Sequence, residues 1–375
     1  MKKKFLHVKT MTLQEHFASI KDFRQQHKVE HPLIDIMVLS IIAVICGAKE
    51  YKEIEIFGKS KESFLKQFLS LPNGIPSHDT IERVIIAINP KEFHQCFMNW
   101  VKNLCESTLG ELIAMDGKTS RGSYDTYRNQ SPIHLVNAWS TLNGIVLGQY
   151  KVDDKSNEIT ALPKLLSMLQ IEGCIISIDA IGCQKEIAKQ ITEAKADYIL
   201  ALKANQETLQ QQAIHLFSHA KITNTDEDVD INGNRIEIRK CSVLTDLSLL
   251  DEKQDWSNLN AVVRIESTRE IATKKTIETR YYISSLTTTA KEFNRLVRSH
   301  WQVENKLHWQ LDVTFCEDKS RKRKGNSAEN FSLLTKTALN IIRTNTNDKI
   351  SIANKQYKAA LNEEYLLNII KSSCV

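Results

Sequence analysis

An α/β fold is predicted, a mixed sheet with flanking helices, preceded by an all-helical N-terminal module and interrupted by a β-rich insertion. Residues from about Thr12 to Cys105 place apolar side chains at helical spacing and show little strand character. From Glu111 onward, short apolar runs and amphipathic stretches follow the order β-β-β-α-β-α-β, which a sheet covered by helices requires. Between Gln206 and about Leu286, apolar and polar residues alternate at period two, as antiparallel strands do.

In the first region LQEHFASI, PLIDIMVLSIIAVICGA and FGKSKESFLKQFL read as helices. The longest apolar run, Ile36 to Ala48, follows Asp35 and falls short of the roughly 18 residues of a membrane span, so a buried helix and no membrane association are expected. The basic start MKKK leads into mixed polar sequence without an apolar core and cleavage site. A cytoplasmic, nucleoid-associated protein is expected. In LPNGIPSHDTIERVIIAI, Asp79 and Glu82 have the D-x-x-E arrangement of a helix start. Residues Pro76 to Ile88 admit two readings, part of a helix-turn-helix or a packing unit.

In the second region LIAM is a strand ending at Asp116, IHLVNAWST a second and GIVLGQYKV a third, with Asn143-Gly144 in the tight turn between the last two. TALPKLLSMLQ is helical, CIISID a buried strand ending at Asp179, GCQKEIAKQITEAK helical and ADYILALK a strand. Sites in open α/β sheets form beyond strand ends near a switch in strand order, so Asp116 and Asp179 are expected side by side.

The insertion opens with a helical stretch and the acidic loop TNTDEDVD, followed by the strands NRIEIRKCSVL, AVVRIESTREI and TIETRYYISSL. Beyond it, KEFNRLVRSHWQVENKLHWQL is one strong helix. Phe293, Val297, His300, Glu304, Leu307 and Leu311 repeat at spacings of 4, 3, 4, 3 and 4, which puts Glu304 on an inward stripe. An inward carboxylate is costly unless paired, hydrogen-bonded or bound to metal. The alternatives for Glu304 are an ion pair with Arg298 or a helix-edge position.

Composition narrows the chemistry. With 50 basic and 45 acidic residues, the formal charge of +5 favours polyanions only where it is clustered. The eight cysteines contain no CxxC pair, which argues against zinc fingers and a disulfide framework and for reduced thiols. His215 and His219 share a helix face but lack an HExxH glutamate, so they read as a structural pair. Three carboxylates brought together can hold two divalent metals, and on a basic chain that points to nucleic-acid phosphates. Oxygen donors without thiolate favour Mg2+, two ions being expected, with Mn2+ able to substitute. Taken singly, each aspartate could equally be a turn or cap residue.

Lys118 and Arg121 follow Asp116, Lys203, Asn205 and Gln206 end the strand beside the site, and Arg321, Lys322, Arg323 and Lys324 follow the Glu304 helix. All are candidates for scissile phosphates. For the 321–324 run a solvated face is the alternative. Trp301 and Trp309 either pack in the core or stack on a flipped base.

The blocks AMDGKTSRGS, KSNEITALPKLL, DAIGCQKEIAKQI, ADYILALKANQ, NRIEIR, RYYISSL and HWQVENKLHWQLDVTFCEDKSRKRKGNSAENFSLL resemble, in order, the DDE transposases of bacterial insertion sequences, specifically the H-repeat-associated subfamily. The resemblance runs from about residue 10 to 345. It implies a ribonuclease-H-like core at 106–206 and 287–345, split by an insertion at 207–286. A helical module at 1–105, of DNA-binding character, and a helical tail at 346–375 flank that core. It carries the catalytic carboxylates onto Asp116, Asp179 and Glu304. Related transposases often have Y-x2-R-x3-E-x6-K around the glutamate, where this chain has Val297, His300 and Leu311. His300, at the arginine position, joins the DNA-contact candidates, and a hairpin-type mechanism relying on that signature is put in doubt. The implied function is metal-dependent cleavage at element ends and strand transfer into target DNA, by a homo-oligomer on double-stranded DNA. Alternatives are an immobile remnant acting as a DNA-binding protein or nuclease, and a ribonuclease on RNA–DNA hybrids, which would need neither helical module nor insertion.

Overall fold

The computed structural model describes residues 12–105, 110–127, 131–153, 156–272 and 274–372. Its N-terminal part is helical: α1 (Leu13–Phe17), α2 (Leu33–Ile45), α3 (Tyr51–Ser60), α4 (Glu62–Leu65), α5 (His78–Ala87) and α6 (Pro90–Leu104). The long apolar run is α2, buried from Ile36 to Ile45. α5 starts earlier than the D-x-x-E pattern predicts. Ser77 is the cap, in extended conformation with its hydroxyl accepting from the Thr80 amide, and Asp79 already lies in the first turn, where its charge suits the helix dipole.

The sheet strands are β1 (Leu112–Thr119), β2 (His134–Ser140), β3 (Ile145–Lys151), β4 (Ile175–Ile178), β5 (Asp197–Leu202), β6 (Asn224–Asn232), β7 (Arg235–Leu244), β8 (Ala261–Ile271) and β9 (Lys274–Ser284). Their order is β3-β2-β1-β4-β5-β9-β8-β7-β6. β2 runs antiparallel to both β1 and β3, whereas β4 and β5 continue parallel to β1. That is the ribonuclease-H-like arrangement. Gly144, at φ +67°, closes the β2–β3 turn in the left-handed region that glycine adopts without strain. Crossover helices α7 (Glu158–Met168) and α8 (Lys185–Glu193) return the chain between parallel strands, and α9 (Glu207–His219) leads into the insertion.

The insertion extends the same sheet. β9 pairs antiparallel with β5, Ile199 opposite Ser284, and β8, β7 and β6 follow outward. The stretch expected to be an acidic loop is the edge strand β6, paired with β7 along its length. Aspartate is poor in strands by composition, but here each aspartate has a partner. Asp228 meets Arg239 and Arg298, Asp230 also meets Arg298, and Asp226 accepts from Asn294. A charged edge also discourages pairing with another chain.

Downstream, α10 (Ala290–His300), a π-helical segment (Val303–His308) and α11 (Trp309–Val313) form the predicted helix with one irregularity. The π turn inserts a residue and shifts the phase. Val303 becomes buried, Glu304 through Lys306 turn outward, and Leu307 and Leu311 stay inside. Glu304 is therefore exposed rather than inward. Next comes α12 (Ser327–Thr344), the central helix of the molecule, packed on α2, α5, α6 and β3. Lys336 at its middle is buried, its amine donating to Gln149 Oε1 at 2.6 Å and Ser332 Oγ at 3.0 Å. α13 (Ile352–Leu361) and α14 (Glu363–Ser372) cover it at the end.

Candidate active site

The parallel β1–β4 ladder ends with Met115 opposite Ile178. The next residue on each strand is an aspartate, so Asp116 and Asp179 stand at one level, about 4.8 Å apart in strand spacing. Only Asp179 follows a strand end, because β1 continues past Asp116 to Thr119, paired with β2, where the sequence had suggested an end. The Gly117 amide donates to Asp116 Oδ1 at 2.9 Å, and His308 Nδ1 lies 3.5 Å from Oδ2. Burial, then the charges of Asp179, Glu304 and Glu158, push the Asp116 carboxyl up to about 7. Asp179 Oδ1 accepts from the Ile181 amide at 3.2 Å, a cap for the short turn that follows. Burial and the Glu158 charge raise its pKa as well, with Lys203 opposing.

Glu304 acts on Asp116 from the outward side of the π turn. The Arg298 alternative is excluded, because Arg298 is engaged by Asp228 and Asp230. His308, one turn beyond Glu304, is half-buried and held neutral, its pKa pushed down to about 3 by desolvation and the nearby Lys118 and Lys336 amines.

Sequence reasoning missed Glu158. It is the first residue of α7, a place where an acid is ordinary. Its carboxylate, however, turns toward the sheet. His134 Nε2 is 2.6 Å from Glu158 Oε1 and His134 Nδ1 is 2.7 Å from Thr119 Oγ1. The only signal was its presence in the KSNEITALPKLL block.

Several expected phosphate contacts are committed elsewhere. The Lys118 amine is buried against Asp312 at 2.5 Å and Asp318 at 3.5 Å. Lys322 is buried too, 3.8 Å above the Phe331 ring and bonded to Lys49 O and Glu50. His300 is enclosed beside Ser177, at 2.9 Å, and burial lowers its pKa to about 4, which leaves it uncharged. The Asn205 and Gln206 amides donate to the Ala180 and Cys183 carbonyls at 2.6 and 2.9 Å, bracing the turn after Asp179. Arg323 is half-buried over the Tyr124 ring. Arg121, Lys203, Arg321 and Lys324 are exposed. Trp309 is 53% exposed, outside the core, whereas Trp301 lies under the Arg280 guanidinium.

A cavity of about 660 Å³ lies beside α10 over β7, β8 and β9, its lining including Arg235, Arg239, Arg269, Arg280, Arg298 and Lys306. Asp230, Glu237 and Glu278 share it and pair with Arg298, Arg235 and Arg280.

The donors at the end of the parallel ladder are carboxylate oxygens, the set a hard divalent cation takes. Among the described residues, no three His, Cys, Asp or Glu side chains close on a single ion. Carboxylates of like charge repel unless a cation or proton intervenes, and the raised Asp116 pKa is the same imbalance seen through the proton. The pair Asp116 and Asp179, with Glu304 close enough to act on Asp116, fits a divalent cation.

Residues 107–341 match the family model described as Transposase DDE domain, and residues 14–101 match the DDE_Tnp_1-associated model. The chain belongs to the DDE transposase family, DNA-transposing enzymes of the polynucleotidyl transferase type that work with divalent metal. It is 43% identical to the "H repeat-associated putative transposase YhhI" of Escherichia coli strain K12, over 96% of this chain and 98% of that one. Against the "Putative transposase YncI" of E. coli O157:H7 it is 42% identical, covering 96% and 95%. Among solved structures, the piggyBac transposase synaptic complex with hairpin DNA is 11% identical at a TM-score of 0.45, over 96% of this chain and 76% of that one, too slight a likeness to add to the strand order. Among the described residues no helix is long and apolar enough to cross a membrane.

Proposed function

We propose that Asp116, Asp179 and Glu304 hold the divalent metal with which this transposase cuts insertion-sequence ends and joins them to target DNA. The observation that carries this is the shared level of Asp116 and Asp179 at the end of the parallel ladder, with the Glu304 charge acting on Asp116. Two Mg2+ ions, or Mn2+ in their place, would activate the attacking water or 3′ hydroxyl and stabilise the leaving oxygen. Asp116 is poised for that role, because a carboxylate desolvated among like charges gains most from a cation. The Ile181 amide orients Asp179, and the Asn205 and Gln206 amides fix the turn behind it. Glu304, facing solvent, stands on the side from which a duplex can approach.

Lys203, Arg121, Arg321 and Lys324 are the exposed cations for scissile and flanking phosphates. The helical module at 1–105 is assigned to DNA binding, the core to 106–206 and 287–345, the insertion to 207–286 and the tail to 346–375. Support for the first boundary is that one family match stops at 101 and the next starts at 107. The working form on DNA is a homo-oligomer in the nucleoid.

Asp116→Asn, Asp179→Asn and Glu304→Gln test the reading on labelled end duplex in Mg2+. Each is expected to fold and to keep duplex binding. Each should lose more cleavage than the roughly 10–100-fold that removing a mere support of a metal ligand costs. Wild-type cleavage by Glu304→Gln would move the third ligand elsewhere, Asp312 being the next carboxylate along the helix.

A further inference from the structure

We propose that Glu158 is a fourth metal-facing carboxylate of this site, braced by His134 and admitted by Gly117. The assignment rests on the metal-binding reading above and extends it to a residue outside the DDE set.

Three observations converge on Glu158. First, the position is built for it. A Cβ on Gly117 would lie 2.2 Å from Glu158 Oε1 and 2.5 Å from His134 Nε2, so any other residue beside Asp116 would drive this carboxylate away. Second, the side chain is held from behind. His134 bridges Thr119 and Glu158 through its two ring nitrogens, which fixes one carboxylate oxygen in the way that metal ligands are oriented by the groups behind them. Third, the carboxylate is mostly sheltered from water and lies over the backbone of the residue that follows Asp116, on the side of the sheet where the first aspartate stands.

A first-turn acid serving only the helix dipole would face water. The Glu158 side chain is only 15% exposed and lies against Gly117, beside the end of the parallel ladder where two other carboxylates already repel one another. That placement raises the cost of the cluster, and His134 alone gives no reason for it. A cation does. Two divalent ions carry four positive charges, and Glu158 brings the carboxylates here to four: Asp116, Asp179, Glu304 and Glu158.

The experiment is Mn2+ binding to the full chain without DNA, followed by the fall in free-Mn2+ electron spin resonance signal, with thermal midpoints in EDTA alongside. Glu158→Gln is expected to weaken Mn2+ binding about tenfold or more without lowering the midpoint in EDTA. Gly117→Ala, which keeps every charge and displaces the carboxylate, is expected to weaken it as well. Wild-type affinity in both variants would overturn the assignment and leave Glu158 as the partner of His134. If Glu158→Gln does not fold, Gly117→Ala decides alone, wild-type affinity in it counting against the proposal. Asp116→Asn is the separate control. Undiminished Mn2+ binding there would sink the metal reading of the whole site, an outcome distinct from failure at Glu158.

Discussion

At Asp116, burial and three neighbouring carboxylates hold a single proton against solution chemistry. Its pKa stands at about 7 in the fold, against about 3.9 in an unfolded chain. Between those values the folded protein keeps a proton that the unfolded chain gives up. The contribution to stability is therefore complete below about pH 4 and lost as pH rises through 7. Asn at this position has no charge to bury. In EDTA, Asp116→Asn is predicted to melt above wild type at pH 8, with the difference shrinking toward pH 5, and Mg2+ should raise only the wild-type midpoint. Calorimetry across that range checks it, and a variant that melts lower at pH 8 would contradict it. The shared level of Asp116 and Asp179 was legible because each follows an apolar run, although β1 continues to Thr119 where the sequence suggested an end at Asp116. Lys118, Lys322 and His300 were not, because a letter does not say whether an amine or imidazole meets water or a buried partner.

Among the elements, the helix bearing Glu304 shows how a regular pattern can mislead. Its apolar spacing runs unbroken from Phe293 to Leu311, yet the π turn rotates Glu304 outward and substitutes Val303. One extra residue in a turn leaves no mark on a period-counting rule. The acidic stretch of β6 is the converse case, unfit for a strand by composition and made one by arginines on β7 and α10. The run Arg321 to Lys324 divides by exposure. Reversing the exposed pair, Arg321→Glu with Lys324→Glu, is predicted to weaken binding to end duplex and reduce the salt slope by about 0.9 for each phosphate that is no longer neutralised. Lys322→Met should leave that slope unchanged while lowering thermal stability, since its amine bonds Lys49 O and Glu50 and sits on the Phe331 ring. Equal slopes in all three proteins would assign the run to a solvated face.

On the scale of the whole molecule, α12 joins parts remote in sequence. It touches α2, α5 and α6 from the first third of the chain, β3 from the sheet, and α13 and α14 beyond it. The tail closes this assembly through polar anchors, Lys355 donating to Ile342 O at 3.3 Å and Gln356 to Val44 O at 3.1 Å. A chain ending at Thr344 exposes the α2 and α12 faces, and its urea midpoint is predicted to fall; an unchanged midpoint would make the tail an appendage. Segment order and the five core strands were visible in the sequence. The β5–β9 pairing was not, because Ile199 and Ser284 meet across a long stretch that reads as a unit of its own. The late position of α12 sets a clock. Asp179 leaves the ribosome 125 residues before Glu304, an interval of roughly 6–25 s at bacterial speeds of synthesis. Throughout it the nascent chain holds both aspartates but neither Glu304 nor α12, the helix that joins its helical module to the sheet.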